Sequence, residues 1–266
     1  MKVINYFFII VLLISCQPNK TELGIEERNG VMYNTGTDSL YSGLRTEYFE
    51  NGEIAFRAPY ENGLMNGKTI WWYENGNRKS EGITKKGKKE GVWTEWDEKG
   101  SKSAVVIYQN DLLNGKYQEF HSNGTLALEG EKKNGNSIGL YKLYGEDGKL
   151  ESETTFNEEG LPDGEYKSYY KNGKLNEHIQ LVNGEKQGEV ITYFENGKIN
   201  TKGHYKNSKL DGELLVFDEN GKLNAKIYHI LGKREGKWTY FNSSGKLVED
   251  RTYKDNTLIK TINHIK

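Results

Sequence analysis

Apolar and polar side chains alternate along much of this chain. In one segment Ile54, Phe56, Ala58 and Tyr60 occupy every second position, and a polar residue such as Arg57 lies between them. A period of two over this length indicates β-strands with one face more apolar than the other. No window after the N-terminal segment shows an apolar stripe with a period of 3.6 residues, so we expect almost no helix there.

Glycines recur with a period of 24 residues. The first column is Gly43, Gly67, Gly91, Gly115, Gly139, Gly164, Gly188, Gly212 and Gly236. Every step is 24 residues except the fifth, which is 25, and the extra residue falls near 158–160. A second glycine follows nine positions after each of these. The chain therefore contains nine repeats, and positions are counted below from the first glycine of each.

The fifth position of every repeat is aromatic. The column is Tyr48, Trp72, Trp96, Phe120, Tyr144, Tyr169, Tyr193, Phe217 and Phe241. Rings stacked along this column are expected to supply the packing that a second layer otherwise supplies.

Each repeat is predicted to form a β-hairpin. Asn-Gly pairs stand at 51–52, 75–76, 123–124, 172–173, 196–197 and 220–221, and Asp147-Gly148 makes a seventh. Asn and Gly tolerate the positive φ angles of a type I′ turn, so we expect that turn at these pairs. A second turn, such as Asn62-Gly63 or Asn183-Gly184, leads to the next repeat.

Nine hairpins predict an all-β fold, an elongated single-layer antiparallel meander. About eighteen strands at ~4.8 Å spacing would extend roughly 85 Å. A parallel β-helix with one 24-residue turn per repeat is the alternative, and the tight turns disfavour it because parallel strands need long crossovers.

Composition agrees with a thin, turn-rich sheet. Hydrophobic residues make up 35% of the 266 residues, while glycine contributes 31 and tyrosine 18. The formal net charge is −1, so bulk charge predicts no nucleic-acid partner.

The N-terminal segment is predicted to be a targeting signal. Lys2 precedes an apolar stretch over residues 3–14, whose ~18 Å as a helix is too short to cross a ~30 Å bilayer core. Leu13-Ile14-Ser15-Cys16 resembles the lipobox of bacterial lipoproteins, and Cys16 is the only cysteine. The resemblance implies cleavage before Cys16 and lipidation of its sulfur and new N-terminus. An ordinary signal peptide or a buried helix with an incidental cysteine is the alternative.

The repeat resembles the bacterial variant of the MORN repeat. Repeat seven carries the pattern in full, from Gly188 through Tyr193 and Asn196-Gly197-Lys198 to Tyr205. The resemblance covers residues 43 to about 259 and implies an elongated sheet of hairpins used for scaffolding and for protein or membrane association. Many bacterial members carry a YwqK-type antitoxin label. Repeat three departs from the pattern at Lys99 and Asp111, and repeat nine departs at Ser244 and Asn256.

We therefore expect five segments. They are a signal peptide (1–15), the lipidated cysteine and a tether (16–25), a degenerate half-repeat that caps the sheet (26–42), the nine repeats (43–259) and a C-terminal tail (260–266).

Candidate chemistry is sparse. His121, His178, His204, His229 and His264 fall in different repeat positions and lack the spacing of metal ligands. No nucleophile elbow, phosphate-binding loop or metalloprotease motif is present. We expect no catalytic residues, no metal, no cofactor and no enzymatic activity.

Tryptophans concentrate in repeats two and three. Trp71 stands in a column that also contains Glu47, Glu95, Glu119 and Ser168, and Trp93 stands at a column of mostly apolar residues. One interpretation is an exposed binding patch formed by Trp71 and Trp93. The other interpretation is that both tryptophans pack within the sheet against its N-terminal cap.

These observations predict a lipid-anchored, non-catalytic repeat protein of a bacterial envelope that acts as a scaffold for a protein partner. The membrane is reached through lipid on Cys16, and the periplasmic side of the outer membrane is favoured. A carbohydrate-binding surface and an immunity or antitoxin-type role are the alternatives.

Overall fold

The computed structural model describes residues 24–264, and this part of the chain contains strands and turns but no helix. The strands are β1 (Ile25–Arg28), β2 (Val31–Asn34), β3 (Gly43–Tyr48), β4 (Ile54–Glu61), β5 (Leu64–Met65), β6 (Gly67–Trp72), β7 (Arg78–Lys85), β8 (Lys88–Trp96), β9 (Lys102–Gln109), β10 (Leu112–Phe120), β11 (Leu126–Lys133), β12 (Asn136–Tyr144), β13 (Leu150–Phe156), β14 (Pro162–Tyr169), β15 (Leu175–Val182), β16 (Glu185–Tyr193), β17 (Ile199–Lys206), β18 (Lys209–Leu210), β19 (Gly212–Phe217), β20 (Leu223–Ile230), β21 (Lys233–Arg234), β22 (Gly236–Phe241), β23 (Leu247–Lys254) and β24 (Thr257–Asn263).

Strands β3 to β24 form one open antiparallel sheet in which each strand pairs with its neighbours along the chain. Three strand positions are split in two, because β4 pairs with both β5 and β6, β17 with both β18 and β19, and β20 with both β21 and β22. Nineteen strand positions result, and at ~4.8 Å spacing they extend about 85 Å across the sheet. The predicted all-β meander is confirmed, and β24 continues it beyond residue 259, where the repeats were expected to end.

The predicted type I′ geometry is wrong for the first turn of the repeat. The amide of Gly52 donates to Phe49 O at 3.0 Å, and Gly52 has a φ of 88°, but the φ of Asn51 is not positive. This is a type I turn followed by a left-handed glycine.

The asparagine of this first turn forms hydrogen bonds within the turn and to the next repeat. Its side-chain oxygen accepts from the amide two residues later, and its Nδ2 donates to a carbonyl of the next repeat, 23 residues on. The pairs are Asn51 with Glu74, Asn75 with Glu98, Asn123 with Glu146, Asn172 with Glu195 and Asn196 with Glu219. Asparagine at this position therefore joins successive repeats.

The second turn of the repeat has the type I′ geometry. Asn62 and Gly63 have φ angles of 50° and 77°, and Asn183 and Gly184 have 48° and 83°. The 25-residue repeat differs, because its extra residue gives a turn in which the Gly160 amide donates to Asn157 O at 3.1 Å. The inserted residue is thus absorbed in a loop.

A short hairpin, β1 and β2, lies at the start of the sheet. The Met32 amide donates to Gly63 O at 2.9 Å, and the Gly63 amide donates to Tyr41 O at 2.7 Å. Met32 is 3% exposed, so this hairpin buries apolar surface against the first repeat.

Candidate interaction surface

The two faces of the sheet differ in chemistry. We call the face that carries the second position of each repeat the aromatic face. There Trp93 lies opposite Val106, and Glu95 lies opposite Ala104. The other face carries the third position, and we call it the polar face. The difference follows from the alternation of side chains along each strand.

The core lies on the aromatic face of repeats two to four. Trp93 is 0% exposed and packs with Ala104 and Val106, while Trp71 and Tyr108 flank it. The centroids of the Trp71 and Trp93 rings are 5.5 Å apart, and those of Trp93 and Tyr108 are 6.1 Å apart. This continuous aromatic cluster takes the place of a second layer.

A lysine lies against this cluster. The Nζ of Lys89 is 4.4 Å from the centroid of Trp93 and 4.7 Å from that of Tyr108. Burial lowers the pKa of the Lys89 ammonium, and cation–π attraction to the rings partly offsets the lost hydration.

The structure corrects the exposed-patch interpretation of Trp71 and Trp93. Trp93 has no exposed surface to offer a ligand, and its indole N–H donates to Ile83 O at 3.2 Å. Trp71 is half-buried between Phe56 and Trp93, and the centroids of Phe56 and Trp71 are 5.2 Å apart. Both tryptophans therefore pack the sheet.

The fifth-position rings do not form the packed column that the sequence predicts. They lie half-buried on the polar face, and Tyr48 is 40% exposed. The Tyr144 hydroxyl donates to Glu129 and the Tyr169 hydroxyl donates to Glu153, both at 2.8 Å. Burial and these carboxylates raise the pKa of each phenol to about 12. These tyrosines therefore remain protonated donors at neutral pH.

A continuous row of third-position side chains and their partners crosses the polar face. In its middle, charges of opposite sign face each other on neighbouring strands, in the order Glu129, Lys142, Glu153 and Lys167, and His178 follows opposite Lys167. The Nζ of Lys167 lies 2.5 Å from Glu165 and 3.9 Å from Glu153. This arrangement presents both signs of charge on one accessible surface.

The histidines occupy separate structural positions. His178 lies 3.5 Å from Glu165, and the Nε2 of His121 lies 2.8 Å from Tyr144 O. His264 contacts the buried Asp250 at 2.8 Å, which also binds Lys237 and Thr239. Within residues 24–264 no three His, Cys, Asp or Glu side chains come together as metal ligands.

His229 is buried on the aromatic face of repeat eight. It is 9% exposed, its ring centroid lies 5.3 Å from that of Trp238, and it pairs across the strands with Arg234. Its Nδ1 has no hydrogen-bond partner within the described residues. Burial, together with the charge of Arg234, lowers the pKa of His229.

Mild acid is therefore expected to destabilise the last repeats. A lowered pKa means that the unfolded chain binds the proton more readily, so stability present above about pH 6.5 is lost as the pH falls. Urea unfolding should show that the wild type has a lower free energy of unfolding at pH 5 than at pH 7. The decrease should be smaller for His229→Phe, which keeps an aromatic ring but cannot take up a proton. An equal decrease in stability for both proteins would mean that His229 does not cause the sensitivity to acid.

Cys16 and the predicted signal segment lie outside the described residues. The part of the chain that the structure describes contains no helix able to cross a membrane.

The family model described as "MORN repeat variant" matches more than half of the chain. The matched residues are 41–62, 65–86, 113–134, 138–158, 162–183, 186–207, 210–230 and 234–255. Repeat three lies in the gap between 86 and 113, yet β8 and β9 pair in the same way as the matched repeats. Its departures at Lys99 and Asp111 therefore alter the sequence pattern but not the hairpin.

Comparisons with whole proteins add little. No curated protein matches the chain. Among solved structures, TcdB2-TccC3 is 12% identical over 83% of this chain, with a TM-score of 0.22, and only 14% of that chain is covered. Choline binding protein F from Streptococcus pneumoniae is 13% identical over 86% of this chain and 94% of its own, with a TM-score of 0.21. These TM-scores are too low to transfer any function.

Proposed function

The chain belongs to the MORN repeat variant family, and we propose that it is a lipid-anchored, non-catalytic scaffold of a bacterial envelope whose polar face binds a protein partner. The observation that carries the proposal is the row of opposed charges across the middle of the polar face. Repeats provide such a surface because each one adds an equivalent pair of strands to a continuous sheet.

The size of this surface fits a protein partner. From Gln118 on β10 to His178 on β15, six strands present third-position side chains and their partners in register. Six strands at ~4.8 Å spacing and ~27 Å length offer about 780 Å², close to the ~800 Å² that each partner contributes to a standard interface.

The charged side chains of this surface are exposed enough to form ion pairs with a partner in place of those within the chain. Lys167 and Glu165 are 28% and 54% exposed, and on the next two strands of the same face Lys202 and Glu189, which lie 2.7 Å apart, are 44% and 45% exposed. Exposed ion pairs contribute at most ~1 kcal/mol each, so a partner of complementary charge can replace them at little cost.

Membrane attachment is the second part of the proposal. Its support is the sequence around Cys16, which resembles a lipobox, and the mostly polar residues 17–23 that separate it from the first described residue. Attachment at this end would hold the sheet by its first repeat and leave the polar face accessible.

The binding face can be tested with a photo-crosslinking residue in living cells. Lys142 and Leu143 are neighbours on β12, and their side chains point to opposite faces of the sheet. A crosslinker at position 142 should give a discrete adduct with one partner, and the same crosslinker at position 143 should not. Equal adducts from both positions, or none from 118, 142 and 167, would contradict binding by the polar face.

A further inference from the structure

In three repeats the sixth position carries a ring that hydrogen-bonds to the next repeat. The Tyr73 hydroxyl donates to Trp96 O at 2.9 Å, and the Tyr170 hydroxyl donates to Tyr193 O at 2.6 Å. His121 contacts Tyr144 O in the same way. Repeat five has Gly145 at this position, so it has no side chain to make the contact.

A cavity lies where that ring is missing. It has a volume of about 410 Å³ and opens to solvent beside the first turn of repeat five. Its lining includes Leu150, Tyr169, Tyr170, Asp147, Glu151 and Lys149. We call this cavity the Gly145 notch. Its volume falls within the ~300–1,000 Å³ of small-molecule sites.

Both hydrogen-bond acceptors and hydrogen-bond donors line the notch. Oxygens of Glu151 and Asp147 lie 2.7 and 3.1 Å from the point that a Cβ on Gly145 would occupy. The ammonium of Lys149 donates to Lys171 O at 2.8 Å. Carboxylates accept hydroxyl protons and an ammonium donates to hydroxyl oxygens, so the lining can satisfy a ligand that carries several hydroxyl groups.

The aromatic part of the lining offers flat apolar surface. The hydroxyls of Tyr169 and Tyr170 are already engaged, by Glu153 and by Tyr193 O, so each presents its ring rather than a free hydroxyl. A ring face packs against C–H groups, and the polar groups lie beside it. Glu146 also lines the notch, so carboxylates outnumber the ammonium groups of Lys149 and Lys171 and disfavour anionic ligands.

We propose that the Gly145 notch binds one uncharged pyranose unit of a glycan. A pyranose has an apolar C–H face for the tyrosine rings and hydroxyls for Glu151, Asp147 and Lys149. This site lies at the first-turn end of the strands, beside the polar face, and the proposal does not depend on the protein partner proposed there.

The experiment is saturation-transfer NMR on the full chain, with methyl glucoside and methyl N-acetylglucosaminide as probes. We expect a dissociation constant of about 1 mM, as is reasonable for a single small ring. Gly145→Tyr introduces the tyrosine that repeats two and six carry at this position and should weaken binding by at least about tenfold. The φ of Gly145 is not positive, and the nearest atom to the new Cβ is the mobile end of Glu151, so the variant should keep its melting temperature.

Two further variants separate the site from the fold. Glu151→Ala should weaken sugar binding without filling the notch. Glu74→Ala should leave sugar binding unchanged. Glu74 occupies in repeat two the position that Glu146 occupies in repeat five, but Tyr73 takes up the space of the notch there. Equal binding by the wild type, Gly145→Tyr and Glu151→Ala would overturn the proposal. So would saturation transfer to tetramethylammonium but to neither sugar.

Discussion

Trp93→Ala is expected to lower the free energy of unfolding by about 3–5 kcal/mol, the usual cost of removing a fully buried large aromatic side chain. The indole ring is 0% exposed and fills the space between Trp71, Val106 and the backbone of Gly82. The ring lies directly against Gly82, where a Cβ would come within 2.2 Å of it, and glycine has no side chain that could fill the cavity left behind. Urea unfolding followed by circular dichroism measures the loss.

Trp72→Ala is the matched control for this prediction. Trp72 is the next residue after Trp71 and lies half-buried on the polar face, where Arg57 approaches its ring at 6.0 Å. We expect a smaller loss than for Trp93→Ala. An equal or larger loss would mean that the fifth-position column carries the packing after all.

The damage from Trp93→Ala should also remain local. Each repeat pairs mainly with its two neighbours, so coupling decays along the sheet. Hydrogen exchange should therefore accelerate in β6 to β10 while β16 to β20 keep their protection. Uniform acceleration over all the repeats would show that the sheet unfolds as one cooperative unit.

Cys16→Ala is expected to abolish lipidation completely and to release or strand the precursor. Two or three acyl chains on one residue hold a protein stably because each buried methylene contributes about 0.8 kcal/mol, and no other cysteine exists to accept a lipid. Cells fed a palmitate analogue should label the wild type and leave Cys16→Ala unlabelled.

Ser15→Ala provides the control for lipidation. It keeps a small residue before the cysteine, so labelling and recovery in the membrane fraction should match those of the wild type. Label retained by Cys16→Ala would refute the lipoprotein proposal and leave the polar-face proposal untouched.

Spacing along the chain was sufficient to predict the fold class. Glycines every 24 residues and the alternation around Phe56 place two strands and two turns in each repeat, because tight turns between short alternating runs allow only neighbouring antiparallel strands. The 25-residue step even located the loop at Gly160. Repeat three was recognisable as a hairpin despite its departures, since Lys99-Gly100 keeps the turn glycine.

The type of turn could not be predicted from the dipeptide. Asn51-Gly52 and Asn62-Gly63 have the same two residues but form different turns. The difference follows from strand register, because the last paired residues are Tyr48 and Ile54 at the first turn but Glu61 and Leu64 at the second. Local preference allows both turns, and the register of the paired strands selects one of them.

The sequence also left open which aromatic residues form the core. Every repeat has a ring at its fifth position, which made that column look like the packing column, while the second position varies between Trp93, Val190 and Thr69. Strand pairing places the second position opposite small or apolar partners such as Val106, and it places the fifth-position Tyr144 beside Glu129 on the polar face. Period-two alternation defines two faces but not which of them is buried, because burial depends on the side chains of adjacent strands. The faces acquire their identities only when the repeats pair in register.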